Sequence, residues 1–155
     1  MSDILVGADK QQVTLLGLLH MSAAFGSVDH DILLDRLRRG VGLEESVLSW
    51  RRSFLTERSQ YVAYAGGLSV LVKLEFGVPQ GSVLGPLLFL LYLVDLFDIG
   101  TRHGARVHFY ADDGQMYITS PAVRAEDTVR QCLPDVEAWM RASRLLLNPH
   151  KTQLI

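Results

Sequence analysis

The sequence predicts a single α+β domain over residues 1–155, and composition, mixed periodicity and hairpin signals support that prediction. The chain is 48% hydrophobic and 21% charged, which supports a buried core rather than disorder. Helix-like and strand-like patterns alternate along the chain, and no repeat or low-complexity tract interrupts them. Two pairs of strand-like segments are separated by short turn sequences, which is typical of antiparallel sheet combined with helices.

The individual elements follow from periodicity and from turn residues. A β-branched start to an apolar run predicts a buried strand, leucines spaced by three or four predict helices, and Gly-rich breaks predict turns. The first half of the chain is expected to contain a strand at residues 13–19, a helix that begins after Asp31 and stops at Gly40 and Gly42, a helix at 44–55, and a hairpin formed by 60–64 and 70–76. A Gly/Pro-rich loop at 77–86 follows, and then a helix at 87–97. The last third is expected to contain strands at 106–110 and 115–119, a helix at 127–147 that Pro134 kinks or shortens, and an edge strand at 151–155.

Charge and cysteine content exclude several classes of protein. The net charge is −2, whereas a protein that binds nucleic acid unaided usually has a clear basic excess. Cys132 is the only cysteine, so no disulfide framework or cysteine-based zinc site can form within the chain, and we expect an intracellular location. The N-terminus lacks the apolar core of a signal peptide, and the most apolar run, residues 87–94, is too short to span a bilayer.

The strongest chemical signal is a pair of adjacent carboxylates, Asp112 and Asp113, between two predicted strands. The segment 109–114 reads Phe-Tyr-Ala-Asp-Asp-Gly. A hairpin tip of this kind can present oxygen ligands to Mg²⁺. Asp-Gly is also a common solvated turn, so these residues taken alone leave both interpretations open.

Four segments in order resemble the reverse transcriptases of LINE-like, non-LTR retrotransposons. Residues 18–30 resemble the first palm motif of that family, and residues 77–86 match its Pro-Gln-Gly motif. The Tyr-Ala-Asp-Asp sequence within residues 109–114 matches its central motif, and residues 145–152 resemble the motif that carries a lysine. The resemblance covers nearly the whole chain, and the ordered combination is far more specific than any one motif.

The resemblance implies a polymerase palm, namely an antiparallel sheet packed with helices, with fingers and thumb largely missing. It implies RNA-directed DNA polymerase activity, in which two Mg²⁺ (or Mn²⁺) ions assist an in-line displacement. The implied partners are an RNA template, a DNA primer and deoxynucleoside triphosphates, with no membrane.

The resemblance also assigns roles to individual residues, each of which has a plainer alternative. Asp112 and Asp113 would bind metal, and Phe25 would lie beneath the incoming sugar unless it is simply a core residue. Gln80 and Gly81 would line the nucleotide and template site, although the same segment could merely form a turn. Lys151 would approach the triphosphate, although a lone lysine is more often a solvated surface residue.

The first motif departs from the family pattern at its metal ligand, because His20 occupies the position of an aspartate. A neutral imidazole prefers softer metals than Mg²⁺ and adds no negative charge. We therefore expect His20 to be a degenerate catalytic position and polymerase activity to be weak or absent. The alternatives are an active polymerase, a catalytically inactive palm that binds RNA or protein, and a metal-dependent phosphodiesterase, which would leave the Pro-Gln-Gly motif unexplained.

Overall fold

The computed structural model describes residues 9–10 and 12–155, apart from the side chain of Val123. These residues divide into two compact units: Phe25–Tyr92 forms one, and the segments on either side of it form the other. The helices are α1 (His30–Val41), α2 (Glu45–Leu55), α3 (Leu84–Tyr92), α4 (Val94–Arg102) and α5 (Ala122–Ala142). The strands are β1 (Val13–Ser22), β2 (Arg58–Gln60), β3 (Ala63–Tyr64), β4 (Gly67–Leu68), β5 (Val72–Leu74), β6 (Arg106–Tyr110), β7 (Asp113–Ser120), β8 (Leu146–Leu147) and β9 (Gln153–Leu154).

The unit that contains both chain ends is built on an antiparallel sheet. Its strand order is β6–β7–β1–β8, and β9 also pairs with β1. The long β1–β7 ladder runs from the pair Val13–Ser120 to the pair His20–Asp113. The predicted α+β class and the predicted sheet of three central strands are thereby confirmed, and the predicted edge strand after residue 151 is present as β9.

Helices cover one face of this sheet. Helix α5 packs on β7 and β1, and α4 packs on β6 and on α5. Since side chains alternate along a strand, the covered face receives residues such as Leu19, Met21 and Ile118, all buried. The opposite face carries the alternate residues, which include His20 and Asp113.

The bounds predicted for the last helix were wrong at both ends. Instead of residues 127–147, α5 spans Ala122–Ala142 and continues through Pro134. The chain turns at Arg144, whose φ of 54° is left-handed, and the amide of Leu145 donates to the carbonyl of Met140 at 2.9 Å. This is a helix C-terminus closed without glycine, so no stop signal is visible in the sequence, and the leucines that follow become β8.

The unit Phe25–Tyr92 contains three helices and a two-stranded ribbon. Helix α1 begins after Asp29, whose carboxylate accepts from the amides of Asp31 and Ile32 at 3.0 and 3.1 Å. Such a cap satisfies two amides that the first helical turn leaves unpaired. Gly42 closes the helix in the left-handed region, with φ at 69°, while Gly40, predicted to stop it, lies inside.

The predicted hairpin is present as a ribbon that spans residues 58–74. Strand β2 pairs with β5, and β3 pairs with β4 at the tip. The tip residues Ala65 and Gly66 both have positive φ, at 48° and 78°. That combination is the one a two-residue type I′ turn requires.

The helix predicted at residues 87–97 is longer than expected and is divided between α3 and α4, with Leu93 between them. The stretch Leu84–Arg102, 19 residues long, is apolar enough to cross a membrane by length and composition, and 44% of its most apolar window is buried inside the protein. This is weak evidence for a membrane span, because buried core helices of soluble proteins pass the same test.

Candidate active site

The two carboxylates predicted to bind metal lie at the tip of the β6–β7 hairpin. Tyr110 and Asp113 form the last pair of the ladder, which leaves Ala111 and Asp112 as the two loop residues. Ala111 adopts a φ of 55°, which costs an L-residue roughly 1–2 kcal/mol relative to the right-handed region. Strain of this kind is often found at functional turns.

His20 lies directly opposite Asp113 in the β1–β7 ladder. Cross-strand partners share a face of the sheet, and the imidazole Nδ1 is 2.9 Å from a carboxylate oxygen of Asp113. The His20 side chain is 27% exposed and that of Asp113 is 71% exposed. The fold therefore brings the degenerate position and the carboxylate pair together, as the motif order predicted.

Lys151 completes a short chain of charged and polar groups. Its Nζ lies 3.5 Å from the Nε2 of His20. The turn that carries it is held by Asn148, whose amide donates to the carbonyl of His20 at 2.7 Å and whose carbonyl accepts from the amide of Lys151 at 3.2 Å. Backbone contacts with β1 therefore position Lys151, whose side chain is exposed. Its approach to a triphosphate stays a prediction.

Both ring nitrogens of His20 have partners. Nδ1 lies beside the carboxylate of Asp113, and Nε2 lies beside the amino group of Lys151. The imidazole therefore lies between the carboxylate of β7 and the lysine of the turn after β8.

This donor set does not fit a centre of two Mg²⁺ ions. Mg²⁺ prefers oxygen ligands in octahedral geometry, and of the three family positions only Asp112 and Asp113 supply carboxylates. The nitrogen of His20 that could bind a metal faces a cation instead. Among the residues that the structure describes, no group of three or more His, Cys, Asp or Glu side chains could hold a metal ion.

Apart from Lys151, the residues predicted to contact nucleotide lie in the other unit, Phe25–Tyr92. The Phe25 ring packs against Phe89 with centroids 4.9 Å apart, and its carbonyl accepts from the amide of Val78 at 2.8 Å. The second half of the first motif thus contacts the start of the Pro-Gln-Gly motif. Gly77 allows this approach, because a Cβ there would lie 3.0 Å from the Cα of Gly26.

Gln80 and Gly81 are both exposed at the turn that precedes α3. Gly81 has a φ of 76°, which favours glycine. Ser82 stabilises the turn, because its hydroxyl donates to the carbonyl of Pro79 at 2.7 Å and accepts from the amide of Gly85 at 2.9 Å. The segment is therefore a formed turn that leaves Gln80 accessible, which is compatible both with a nucleotide site and with a simple turn.

Asn148 is the site residue to which sequence reasoning assigned no role. It holds the turn that places Lys151 through its backbone contacts and through its side-chain oxygen, which accepts from the amide of His150 at 3.0 Å. The Asn-Pro dipeptide at 148–149 is a recognised turn signal and would have located the turn, although not its pairing with β1.

Comparisons with known proteins agree with the motif order. The family model described as "Reverse transcriptase (RNA-dependent DNA polymerase)" matches residues 4–155. A probable RNA-directed DNA polymerase from transposon BS of Drosophila melanogaster is 29% identical, over 96% of this chain and 17% of the relative. The RNA-directed DNA polymerase from mobile element jockey of the same organism is 26% identical, over 92% of this chain and 16% of the relative. The chain thus spans about a sixth of these relatives.

Telomerases are among the solved structures that share this fold. The Candida albicans enzyme, in complex with a fragment of telomeric RNA, matches 99% of this chain with a TM-score of 0.73 and 14% identity. Telomerase from Candida tropicalis with the corresponding RNA fragment gives a TM-score of 0.72 and 12% identity over 99% of this chain. The chain covers 29% and 28% of those proteins, and at these identities the likeness concerns the fold alone.

Proposed function

Because this chain belongs to the reverse transcriptase family, we propose that it is the palm core of an RNA-directed DNA polymerase whose activity is weak or lost at His20. Its curated relatives come from LINE-like mobile elements. The observation that carries the proposal is the 2.9 Å contact between His20 and Asp113. In the family pattern, both of these positions are aspartates, so two carboxylates would lie side by side there.

Histidine in place of aspartate at position 20 changes the charge of the site and also removes one metal ligand. With aspartate at position 20, the site would hold three carboxylates beside Lys151, whereas His20 leaves two. Two Mg²⁺ ions bring four positive charges, so each missing carboxylate weakens their binding. His20 also occupies an oxygen of Asp113 that a metal would need. Misplacement of a reacting group by about 1 Å can cost roughly 100-fold in rate.

The family resemblance assigns the remaining residues roles toward an RNA template, a DNA primer and deoxynucleoside triphosphates. Under this proposal Lys151 offers a cation to a triphosphate, and Phe25 offers its ring to the sugar. Gln80 and Gly81 contribute an accessible turn for the base pair. The divalent metal, when bound, would supply charge stabilisation at the reacting phosphate, and the two aspartates would hold it.

Primer extension on an RNA template, with the parent chain beside His20→Asp, tests the proposal. We expect the parent to extend at least about 100-fold more slowly than the variant, since the variant restores the third carboxylate. In parallel, Mn²⁺ binding followed by electron paramagnetic resonance should be tight in His20→Asp and weak in the parent. The metal measurement gives a result even where the short chain extends no primer.

His108→Asp is the matched control, because it also adds a carboxylate to the exposed part of the same hairpin, on β6. His108 pairs with Gln115 rather than with an aspartate, so the control should leave Mn²⁺ binding at the parent level. Extension by the parent within about threefold of His20→Asp, or equal Mn²⁺ affinity in the two proteins, would contradict the proposal.

The alternative is a catalytically inactive palm that acts as a binding module for RNA or protein. The contacts of His20 with Asp113 and Lys151 favour this alternative, because they engage the imidazole nitrogens and a carboxylate oxygen that a metal would need. The two candidate functions predict the same fold, and the same assay distinguishes them. Loss of extension in both parent and His20→Asp, with equally weak metal binding in both, favours the binding module.

A further inference from the structure

The backbone at Gly77 is held by two side chains from different elements. The Nε2 of His30 donates to the Gly77 carbonyl at 2.9 Å, and the guanidinium of Arg58 donates to the same oxygen. A carbonyl oxygen has two lone pairs, so it can accept both hydrogen bonds at once. Gly77 directly precedes the turn at residues 78–82, which contains the Pro-Gln-Gly sequence. The two donors therefore hold the base of the turn that the family resemblance assigns to nucleotide binding.

Backbone hydrogen bonds tie the same segment to the first motif. The amide of Gly77 donates to the carbonyl of Val28, and the amide of Val78 donates to the carbonyl of Phe25, each at 2.8 Å. Gly77 adopts a left-handed φ of 88°, and a Cβ there would lie 3.0 Å from the carbonyl oxygen of Phe25. The base of the turn is buried and its tip is exposed. The position of the tip therefore follows from the contacts made at the base.

His30 is a donor whose own position is fixed. It is only 8% exposed and is the first residue of α1. The cap residue before it, Asp29, accepts from the amides of Asp31 and Ile32, which orders the first turn of the helix. A buried imidazole N–H that lost its acceptor would be left unsatisfied, which is unfavourable. The hydrogen bond from His30 therefore fixes the Gly77 carbonyl relative to α1.

A histidine at this place could also serve only to fill the core at the start of α1. The two roles differ in what they require of the side chain at position 30. Packing requires volume, whereas positioning requires a hydrogen-bond donor at the place of Nε2. Glutamine supplies a donor through its side-chain amide, and leucine supplies a similar volume without a donor. Substitution by each of the two therefore separates the roles.

We propose that His30 is a positioning residue for the nucleotide site, which holds the Gly77 carbonyl and thereby sets where Gln80 and Gly81 lie. It acts through the backbone of the turn and is not itself a ligand of the nucleotide. A Gly77 carbonyl that moves away from α1 would carry the turn with it, because Pro79 has a fixed φ. The inference rests on the proposed function, in which Gln80 and Gly81 line the nucleotide and template site.

Equilibrium binding of a fluorescent deoxynucleoside triphosphate in the presence of Mn²⁺ tests the proposal. The starting protein is His20→Asp, because that change restores the third carboxylate. In this background His30→Leu should raise the dissociation constant about 3- to 10-fold, the effect of one hydrogen bond, whereas His30→Gln should stay within about twofold. His103→Leu is the matched control: it also removes a histidine hydrogen bond, to Asp135 in the other unit, and should leave nucleotide affinity unchanged.

Amide hydrogen exchange without nucleotide gives a second, local measurement. Protection of the Gly77 and Val78 amides should fall in His30→Leu and be retained in His30→Gln, while protection in α5 stays unchanged in both. Arg58→Met removes the other donor to the Gly77 carbonyl and should weaken both this protection and nucleotide binding. It therefore carries the test if His30→Leu does not fold.

The outcomes distinguish failure of the inference from failure of the proposed function. Nucleotide affinity that His30→Leu leaves unchanged, or that His30→Gln weakens as much as His30→Leu, overturns the positioning role and leaves the proposed function standing. Full protection of the Gly77 and Val78 amides in both His30→Leu and Arg58→Met overturns it as well. A His20→Asp protein that binds no nucleotide contradicts the proposed nucleotide site, and the inference with it.

Discussion

At the scale of single residues, packing restricts position 114, next to Asp112 and Asp113, to glycine. Gly114 follows Asp113 in β7, and a glycine inside a strand would be expected to loosen the backbone. In the structure Gly114 is buried, and a Cβ built on it would lie 2.4 Å from Cε1 of Phe109. The Phe109 ring, which packs edge-on against Phe97 at 5.9 Å, therefore fills the space that a side chain would need.

Replacing Gly114 by alanine should consequently destabilise the protein. We expect a loss of about 1–3 kcal/mol in the free energy of unfolding, the usual cost of overpacking, measured by urea denaturation. Gly40→Ala is the control, since Gly40 lies inside α1 and a Cβ added there would meet nothing within 4 Å. It should gain about 0.5–1 kcal/mol, the helix preference of alanine over glycine. A Gly114→Ala protein as stable as the parent would refute the packing argument.

At the scale of elements, two polar contacts join α4 and α5 beneath the sheet. The Nε2 of His103, at the end of α4, lies 2.8 Å from a carboxylate oxygen of Asp135. The indole Nε1 of Trp139 donates to Asp95 at 3.2 Å. The hydrogen bond from His103 lowers the pKa of Asp135 below its ordinary value of 3.8. The contact therefore contributes to stability only while Asp135 is ionised.

The pH dependence of this contact follows from the sign of the shift. A carboxyl whose pKa is lowered on folding stabilises the native state above its ordinary pKa and loses that contribution as the pH falls through its folded value. Asp135→Asn should thus lower the melting temperature at neutral pH. Its difference from the parent should shrink as the pH falls below 3.8 and vanish once Asp135 is protonated in the folded protein. Glu137→Gln, an exposed neighbour on α5, should show no such difference. A deficit in Asp135→Asn that persists unchanged into acid would contradict this account.

At the scale of the whole molecule, the charge balance limits what the chain can bind unaided. The net charge is −2, and nucleic-acid affinity rests largely on neutralising phosphates. We expect single-stranded RNA to bind with a dissociation constant weaker than about 10⁻⁴ M at roughly 0.15 M salt, measured by fluorescence anisotropy. Micromolar binding that falls steeply with salt would contradict this expectation and show that the chain attracts phosphates despite its net charge.

The family, the α+β class and most strand positions could be predicted from the amino-acid sequence, because four motifs and strong periodicity are local signals. The same motifs placed His20, Asp112, Asp113 and Lys151 in one site, since their order implies neighbouring strands. The end of α5 was misplaced, because Arg144 closes that helix in a left-handed conformation that no glycine announces. Local patterns do not reveal a turn that tertiary packing imposes.

The contacts between side chains in the site depend on the tertiary structure. The register of β1 against β7 sets His20 opposite Asp113, and the Asn148 turn brings Lys151 to the other ring nitrogen. Residues this far apart in sequence meet only through the sheet, so the contacts between their side chains cannot be predicted from the motifs. The motif thus identified the missing carboxylate, and the fold showed which partners the replacing imidazole has found.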